Sequence, residues 1–572
     1  MKILTLLLVL LLTPVRAWAD ERWYTFSIGG TPVGWVHERT DGRTTRTILT
    51  ARLTRLGKSV DMRFDTVITE DVKGALVTLE YEALLAKQPM KLQARVDGNQ
   101  VRILTPPHER VIEAGPDPLL GPMAIARLTA ERLRAAGDRI EYRIFSPELQ
   151  GVAKVRRQLI TASEQTPCGR EARRIEETLE GLPTPRTVWV DANALMIGDS
   201  LAGPFGAMST CRSSKDAAMS AEGTLPADIY EKTLARSNVR FGDPFALDRV
   251  VIRVKGRDPS QPLPDFTAHN QRVTATGVVE ITRVPRATTG AAGAPAPEFV
   301  GSNTYVESDH QEIVRIAKSL ATADGYATAL ALTKWTAENL TMDAGIVMAR
   351  ASELVRDRRG TCMGFATLLA ALARAAGLPS RVVMGYVYYG GIWGGHAWTE
   401  MLVDGAWLPF DAAVYAPGVA SAARLSVGSS SLADGGGSLV GPLSGLFGKV
   451  DIEIVEYEQN GRVKHVPSGA RPYHLDAGAY ENPGLGLRIP ANGWQIARAD
   501  STWPSSLVVA FQKGDTSIEL HHKPRYPDGA VKHDADAMFT TIEGGTLWVW
   551  AARGPDAGSA LRAFLNRVER VH

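Results

Sequence analysis

Residues 359–413 read RGTCMGFATLLAALARAAGLPSRVVMGYVYYGGIWGGHAWTEMLVDGAWLPFDAA, and the architecture of the centre of the chain follows from them. After Gly360, the residues Ala366, Leu369, Ala370, Ala373 and Ala376 fall near one helical face, and Gly377-Leu378-Pro379 stops the helix. Cys362 therefore sits at or just inside the helix N-terminus, where unpaired backbone N–H groups and the positive end of the dipole favour an anion. A thiol in that position has its pKa lowered and its thiolate populated. The same N–H groups can donate to the oxyanion formed when the sulfur attacks a carbonyl. Small residues at Gly360, Gly364 and Ala366 leave room for a substrate to approach.

The partners of this thiol follow in order. Arg381–Tyr389 reads as a strand, Gly390–Gly395 as a glycine-punctuated loop, and His396–Val403 as a second strand. Asp404-Gly405 is a strong two-residue hairpin signal, and Ala406–Ala413 is the returning strand. If Val403 pairs with Ala406, then Asp411 lies opposite Trp398 and His396 opposite Ala413. His396, Trp398 and Asp411 then share one face. His396 and Asp411 form a diagonal pair about 7–8 Å apart at the backbone, within reach of each other's side chains. A cysteine facing that histidine completes a thiol–imidazole–carboxylate triad. The loop around Ile392-Trp393 reads either as a mobile apolar lid over a thioester or as an ordinary long hairpin loop.

The segment resembles the transglutaminase-like superfamily of papain-like thiol enzymes. Gly360-Thr361-Cys362 matches its nucleophile motif, Gly377–Arg381 its Gly-Leu-Pro-x-Arg, His396–Glu400 its His-Ala-Trp-x-Glu, and Trp407 with Asp411 its closing Trp and Asp. The resemblance covers roughly Ser308 to Tyr415. It implies catalytic roles for Cys362, His396 and Asp411 and structural ones for Trp398, Glu400 and Arg381. It also implies a second oxyanion donor upstream, for which Trp335 and Asn339 are candidates by position alone. His396 follows Cys362 by 34 residues and Asp411 follows His396 by 15. Papain-type proteases place the histidine about 130–150 residues downstream, so the spacing fits a compact core.

The rest of the 572 residues supplies the setting. Lys+Arg is 64 against Asp+Glu 62, a balance that excludes the basic footprint of a dedicated nucleic-acid binder. Residues 1–19 read as a secretory signal peptide: Met1-Lys2, an apolar run from Ile3 to Leu12, and Ala17-Trp18-Ala19 as the cleavage pattern. A periplasmic or secreted location is expected, with no membrane span after cleavage. Export permits disulfides. Of the three cysteines, Cys168 and Cys211 are expected to pair and Cys362 to remain free.

The fold class expected is α+β multidomain. Residues 20–285 form a β-rich region of one or two subdomains, in which Arg22–Leu104 reads as an antiparallel meander. Residues 286–297 (RATTGAAGAPAP) form a linker. Residues 298–475 hold the transglutaminase-like core, a helix-borne cysteine packed on an antiparallel sheet, with a C-terminal extension. Residues 476–572 form a small α+β domain. No cofactor or metal is expected; His521 and His522, with His533 further on, are adjacent strand residues that face opposite ways. The function expected is acyl transfer from peptide- or glutamine-type amides, with hydrolysis leading over amine transfer. The substrate is a protein or peptide, and a cell-envelope partner is envisaged. The competing reading is a catalytically idle module that binds peptides or envelope proteins.

Overall fold

The computed structural model describes residues 20–55, 57–85, 88–180, 184–203, 206–221, 233–259, 262–285, 295–345, 348–433, 439, 443, 446–476, 478–499, 506–524, 535–543 and 546–570. The expected signal peptide, most of the expected linker and His533 lie outside them.

The first unit is one sheet of 14 antiparallel strands. Eight run as a meander: β1 (Asp20–Ile28), β2 (Thr31–Asp41), β3 (Thr44–Arg55), β4 (Lys58–Glu70), β5 (Leu76–Leu85), β6 (Gln88–Asp97), β7 (Gln100–Thr105) and β8 (His108–Glu113). Alternation sets the inner face; in β1, Tyr24, Phe26 and Ile28 are buried in turn. Helix α1 (Pro122–Arg132) starts at a proline in its first turn, which has no N–H to leave unpaired. A second meander follows: β9 (Arg139–Ser146), β10 (Gly151–Gln165), β11 (Glu171–Leu179), β12 (Arg186–Val190), β13 (Met196–Gly203) and β14 (Gly206–Ser213). It closes on the first because β14 pairs with β1, Ile28 opposite Met208. Phe145 and Val152 of the second meander pack with Leu79 and Leu92 of the first, so the sheet curls back on itself. Ile125 and Leu128 of α1 lie against Ile140, Leu159 and Val188 on the inner face.

The Cys168–Cys211 disulfide forms as expected, with its Cα atoms 5.3 Å apart, and ties the β10–β11 turn to β14. Cys362 is free. Removing the bridge by Cys168→Ala with Cys211→Ala is expected to cost about 3–4 kcal/mol, the loop-closure value for this separation. Urea unfolding of the two proteins checks it, and alkylation of the native protein without reductant is expected to mark Cys362 alone.

Sheet pairing moves the expected boundary at residue 285. β15 (Ala235–Arg236), β16 (Leu247–Gly256), β17 (Gln271–Ala275) and β18 (Val278–Thr282) belong with the units that follow. The apolar alternation of Val250, Ile252 and Val254 needs a partner, and finds it in a strand some 200 positions later, where Ile252 pairs with Ile454. No local signal marks so distant a pairing.

Helix α2 (Lys215–Ser220) follows β14 and packs on β1 and β2 of the first sheet, whereas the central unit carries α3 (Gln311–Leu320), α4 (Gly325–Asn339), α5 (Ala351–Asp357) and α6 (Cys362–Ala375). α6 is buried almost all round, with α3, α4 and α5 on one side and a sheet on the other. Before it, β19 (Thr341–Met342) and β20 (Arg359–Gly360) pair in parallel. The sheet consists of β21 (Ser380–Tyr389), β22 (Ile392–Val403), β23 (Ala406–Phe410) and β24 (Arg424–Ser430), in the order β15-β22-β21-β24 with β23 also on β22. β25 (Val450–Gln459) and β26 (Arg462–His465) complete a second sheet with β16–β18.

Neither the apolar lid nor the long hairpin loop forms. Gly390 and Gly391, with φ of 55° and 91°, make a two-residue turn in which Tyr389 pairs with Ile392. Trp393 is fully buried in β22 against Tyr388. Gly395 lies inside the strand, opposite Tyr386, and a Cβ there would lie 3.0 Å from the Phe447 ring.

The last unit joins two sheets, β27 (His474–Asp476), β28 (Ala479–Asn482), β29 (Leu487–Pro490) and β35 (Glu569–Arg570) in one, β30 (Gln495–Ala499), β31 (Leu507–Lys513), β32 (Thr516–Pro524), β33 (Ala537–Glu543) and β34 (Thr546–Arg553) in the other. Helix α7 (Ala557–Leu565) seats Leu561 and Phe564 on Phe511 and Trp550. The chain is thus multidomain and strand-rich, with seven helices among the described residues.

Candidate active site

Thr361 precedes α6 in an extended conformation and Cys362 is its first residue. The first intrahelical bond runs from Phe365 N to Thr361 O, so the N–H groups of Cys362, Met363 and Gly364 precede any helical acceptor. The β19–β20 pair anchors the approach, and Asp343 N donates to Gly360 O at 2.9 Å. Gly360 and Gly364 do not make room for a substrate, as the sequence suggested. A Cβ on either would lie 2.9 Å from Leu354 Cδ2, so their small size lets α5 pack against α6.

The Asp404-Gly405 turn sets the β22–β23 ladder from Val403 opposite Ala406 to Thr399 opposite Phe410. Asp411 stands one residue beyond it. His396 Nε2 meets Asp411 Oδ2 at 2.9 Å, both side chains being buried. The Cys362 side chain also interacts with the His396 imidazole. The structure thus brings Cys362, His396 and Asp411 into one row. Trp398 lies beside the His396 ring, centroids 6.3 Å apart and nearly parallel.

Asp411 is held from every side. Its Oδ1 accepts from Ala413 N at 3.0 Å and Val414 N at 2.9 Å. Its Oδ2 also accepts from Arg424 Nε at 3.0 Å and Nη2 at 2.7 Å. Arg424, buried at the start of β24, went unnoticed in the sequence. Burial alone would favour a protonated Asp411, but His396, Arg424 and the Val414 N–H outweigh it and hold the carboxyl below its usual range. Burial likewise disfavours the charged imidazole, yet Asp411 and the Cys362 sulfur push the His396 pKa up to about 9.

His396 is protonated in the folded protein at neutral pH, where the unfolded imidazole, near 6.5, is mostly neutral. The ring's contribution to stability is complete below about 6.5 and is lost as pH rises through about 9. Asp411 contributes above the unfolded carboxylate range and loses that contribution as pH falls through its lowered pKa. In an NMR titration of labelled histidine, the His396 ring is expected to change state near 9. A midpoint at or below 6.5 would contradict the ion-paired arrangement.

Neighbouring motif residues act structurally. Arg381 Nε donates to Glu400 Oε2 at 2.8 Å while its guanidinium lies 4.4 Å from the centre of the Trp407 ring. Trp335 and Asn339 do not line the cavity that holds Cys362 and His396. Asn339 Nδ2 donates to Trp335 O in its own helix, and the Arg358 guanidinium stacks over Trp335. In the last unit, His521 Nδ1 meets Ser506 Oγ and His522 Nε2 meets Gly242 O, so the two histidines take different partners.

That cavity has a volume of about 1300 Å³. Cys362, Met363, His396, Met384 and Phe447 line it beside the central unit, and the concave face of the 14-stranded sheet with Met123 and Ile125 of α1 lines most of the rest. Hairpin turns of that sheet touch the central unit: Lys58 Nζ lies 3.1 Å from Asp343 Oδ1, Arg350 Nη1 donates to Pro106 O at 2.7 Å, and Lys449 Nζ donates to Ala202 O at 3.5 Å.

Residues 314–412 match the family model of the transglutaminase-like superfamily, and the chain carries a transglutaminase-like domain there. No curated protein matches the chain. Among solved structures, a proposed cysteine protease from Cytophaga hutchinsonii is 17% identical, with 41% of this chain and 85% of that one covered and a TM-score of 0.23. A proposed protease from Parabacteroides distasonis is 12% identical over 91% of this chain and 97% of that one, with a TM-score of 0.19. A β-barrel-like protein of unknown function from Brucella abortus is 10% identical over 35% and 98%, with a TM-score of 0.28.

Proposed function

We propose that the protein is an exported thiol-dependent enzyme that cleaves peptide- or glutamine-type amides through Cys362, His396 and Asp411. The observation that carries this reading is the juxtaposition of the half-buried Cys362 thiol, at a helix N-terminus and open to a cavity, with the buried His396–Asp411 pair. The dipole and the imidazolium both favour the thiolate. The thiolate attacks the amide carbonyl, and the N–H groups at the start of α6 receive the oxyanion. The C–N bond breaks as the imidazolium gives its proton to the leaving amine. Water then attacks the thioester while His396 takes a proton, the C–S bond breaks, and a carboxylic acid and the free enzyme remain.

Hydrolysis is favoured over transfer to an amine because the cavity offers an amine no uncommitted carboxylate among the described residues. Asp20 and Glu38 both pair with Arg22, and Asp199 pairs with Arg186. Export is supported by the N-terminal signal pattern and fits the Cys168–Cys211 bridge. A protein or peptide of the cell envelope is the substrate this location suggests. The test is incubation with a thiol-reactive peptide amide and mass mapping of the adduct, then product analysis in the presence of a primary amine. Labelling away from Cys362 contradicts the nucleophile, and predominant amine incorporation at millimolar amine contradicts the hydrolytic reading.

A further inference from the structure

We propose that the cavity between the curved sheet and Cys362 holds a long aliphatic chain, so that the amide cleaved is one carried by a lipid-modified substrate. This rests on the thiol-enzyme reading above and adds its substrate class. Three observations point to it.

The first is size and continuity. At about 1300 Å³ the space exceeds the roughly 300–1,000 Å³ of ordinary small-molecule pockets, and it is continuous from Cys362 to the interior of the sheet. A peptide-bond-sized group at the thiol would leave most of it empty.

The second is the lining. Ile28, Leu53, Val60, Leu201 and Met208 sit in register beside the hairpin turns that face the central unit. They form an apolar layer of the same cavity that Met363, Met384 and Phe447 line beside Cys362. Arg22, Glu38, Thr40 and Thr45 lie at the opposite ends of the same strands. The charges inside are matched to one another: Arg157 and Arg186 share Glu177, Arg186 also holds Asp199, and Arg22 holds Asp20 and Glu38. The lining therefore favours a neutral chain inside, with the polar carbonyl end at Cys362.

The third separates an aliphatic chain from an apolar peptide. The strands that wall the cavity, β1–β4 and β12–β14, each have a ladder partner on both sides, so their backbone groups are committed. An inserted peptide would bury its own N–H and C=O groups without the strand edge that peptide recognition by sheets uses. A hydrocarbon chain has no such groups to satisfy.

The experiment has two arms. In the first, binding of N-dodecyl acetamide and N-ethyl acetamide to Cys362→Ser protein is measured by calorimetry. The long chain is expected to bind about a hundredfold more tightly or better, since each buried methylene strengthens binding several-fold. In the second, wild-type protein is alkylated with N-dodecyl iodoacetamide, below its micellar concentration, and with N-ethyl iodoacetamide. Cys362 is expected to react about tenfold faster or more with the dodecyl reagent. Met208→Arg, and separately Met62→Arg at a β4 residue that also lines the cavity, are expected to erase that preference while the N-ethyl rate stays at the wild-type value, which also shows the site to be folded. Equal binding and equal rates for the two chain lengths, with Cys362 still reactive, would overturn the lipid proposal and leave the thiol reading standing. Chain-length-dependent binding with an inert Cys362 would support the cavity and overturn the enzyme reading beneath it.

Discussion

Cys362→Ala is expected to lower amide cleavage by about 10⁴-fold or more while leaving the fold unchanged. The side chain is only half-buried at the first position of α6, and alanine fits there without disturbing the helix. His396→Ala is expected to be nearly as severe, because nucleophile and acid–base group act as a unit. The double variant is then expected to be no worse than either single one. Asp411→Ala is expected to be milder, since the carboxylate orients the imidazole and exchanges no proton with the substrate itself. The comparison is made by steady-state kinetics on one amide substrate, with circular dichroism as the control for folding. Activity within tenfold of wild type in the Cys362 variant would remove it as the nucleophile. Fully additive losses in the double variant would show that His396 acts outside the row.

Those three residues were legible because their placement is local. Asp404 and Gly405 both have positive φ, 52° and 79°, as a two-residue hairpin of this twist requires. That turn alone sets the register that puts His396 diagonal to Asp411. The helix N-terminus at Cys362 is equally local, marked by small residues before it and a Gly-Leu-Pro stop after it. The Gly390-Gly391 turn was just as local, but Gly394 and Gly395 beside it suggested one long loop. The second pair belongs to the strand, where Gly395 accommodates Phe447. The strands of the first unit could be read singly from their alternation, yet nothing short-range indicates that β14 returns to β1. The same holds for the capping of the cysteine by that sheet, and for β16 pairing with β25, which depends on apolar faces distant in sequence.

Arg424 belongs to that second class, and its replacement is the other large effect expected. It reaches Asp411 from a different strand, through 13 residues with no regular pattern, and gives two hydrogen bonds to one carboxylate oxygen. Removing one member of a buried, hydrogen-bonded charge pair costs about 3–5 kcal/mol, because the remaining charge stays buried. Here His396 and two backbone N–H groups still serve Asp411, so Arg424→Met is expected to fall near the lower end, about 3 kcal/mol. Hydrogen exchange at the amides of β21–β24 reads this locally in a multidomain chain. Arg424 also places a positive charge near His396, so its loss is expected to move the imidazole transition above the wild-type value of about 9. A purely structural arginine would change stability and leave that titration where it was. Arg424→Lys is expected to keep the titration near the wild-type position but recover only part of the stability, since an ammonium keeps the charge without the planar pair of donors. An Arg424→Met protein with unchanged unfolding and an unchanged His396 midpoint would place the arginine outside the row that orients the imidazole.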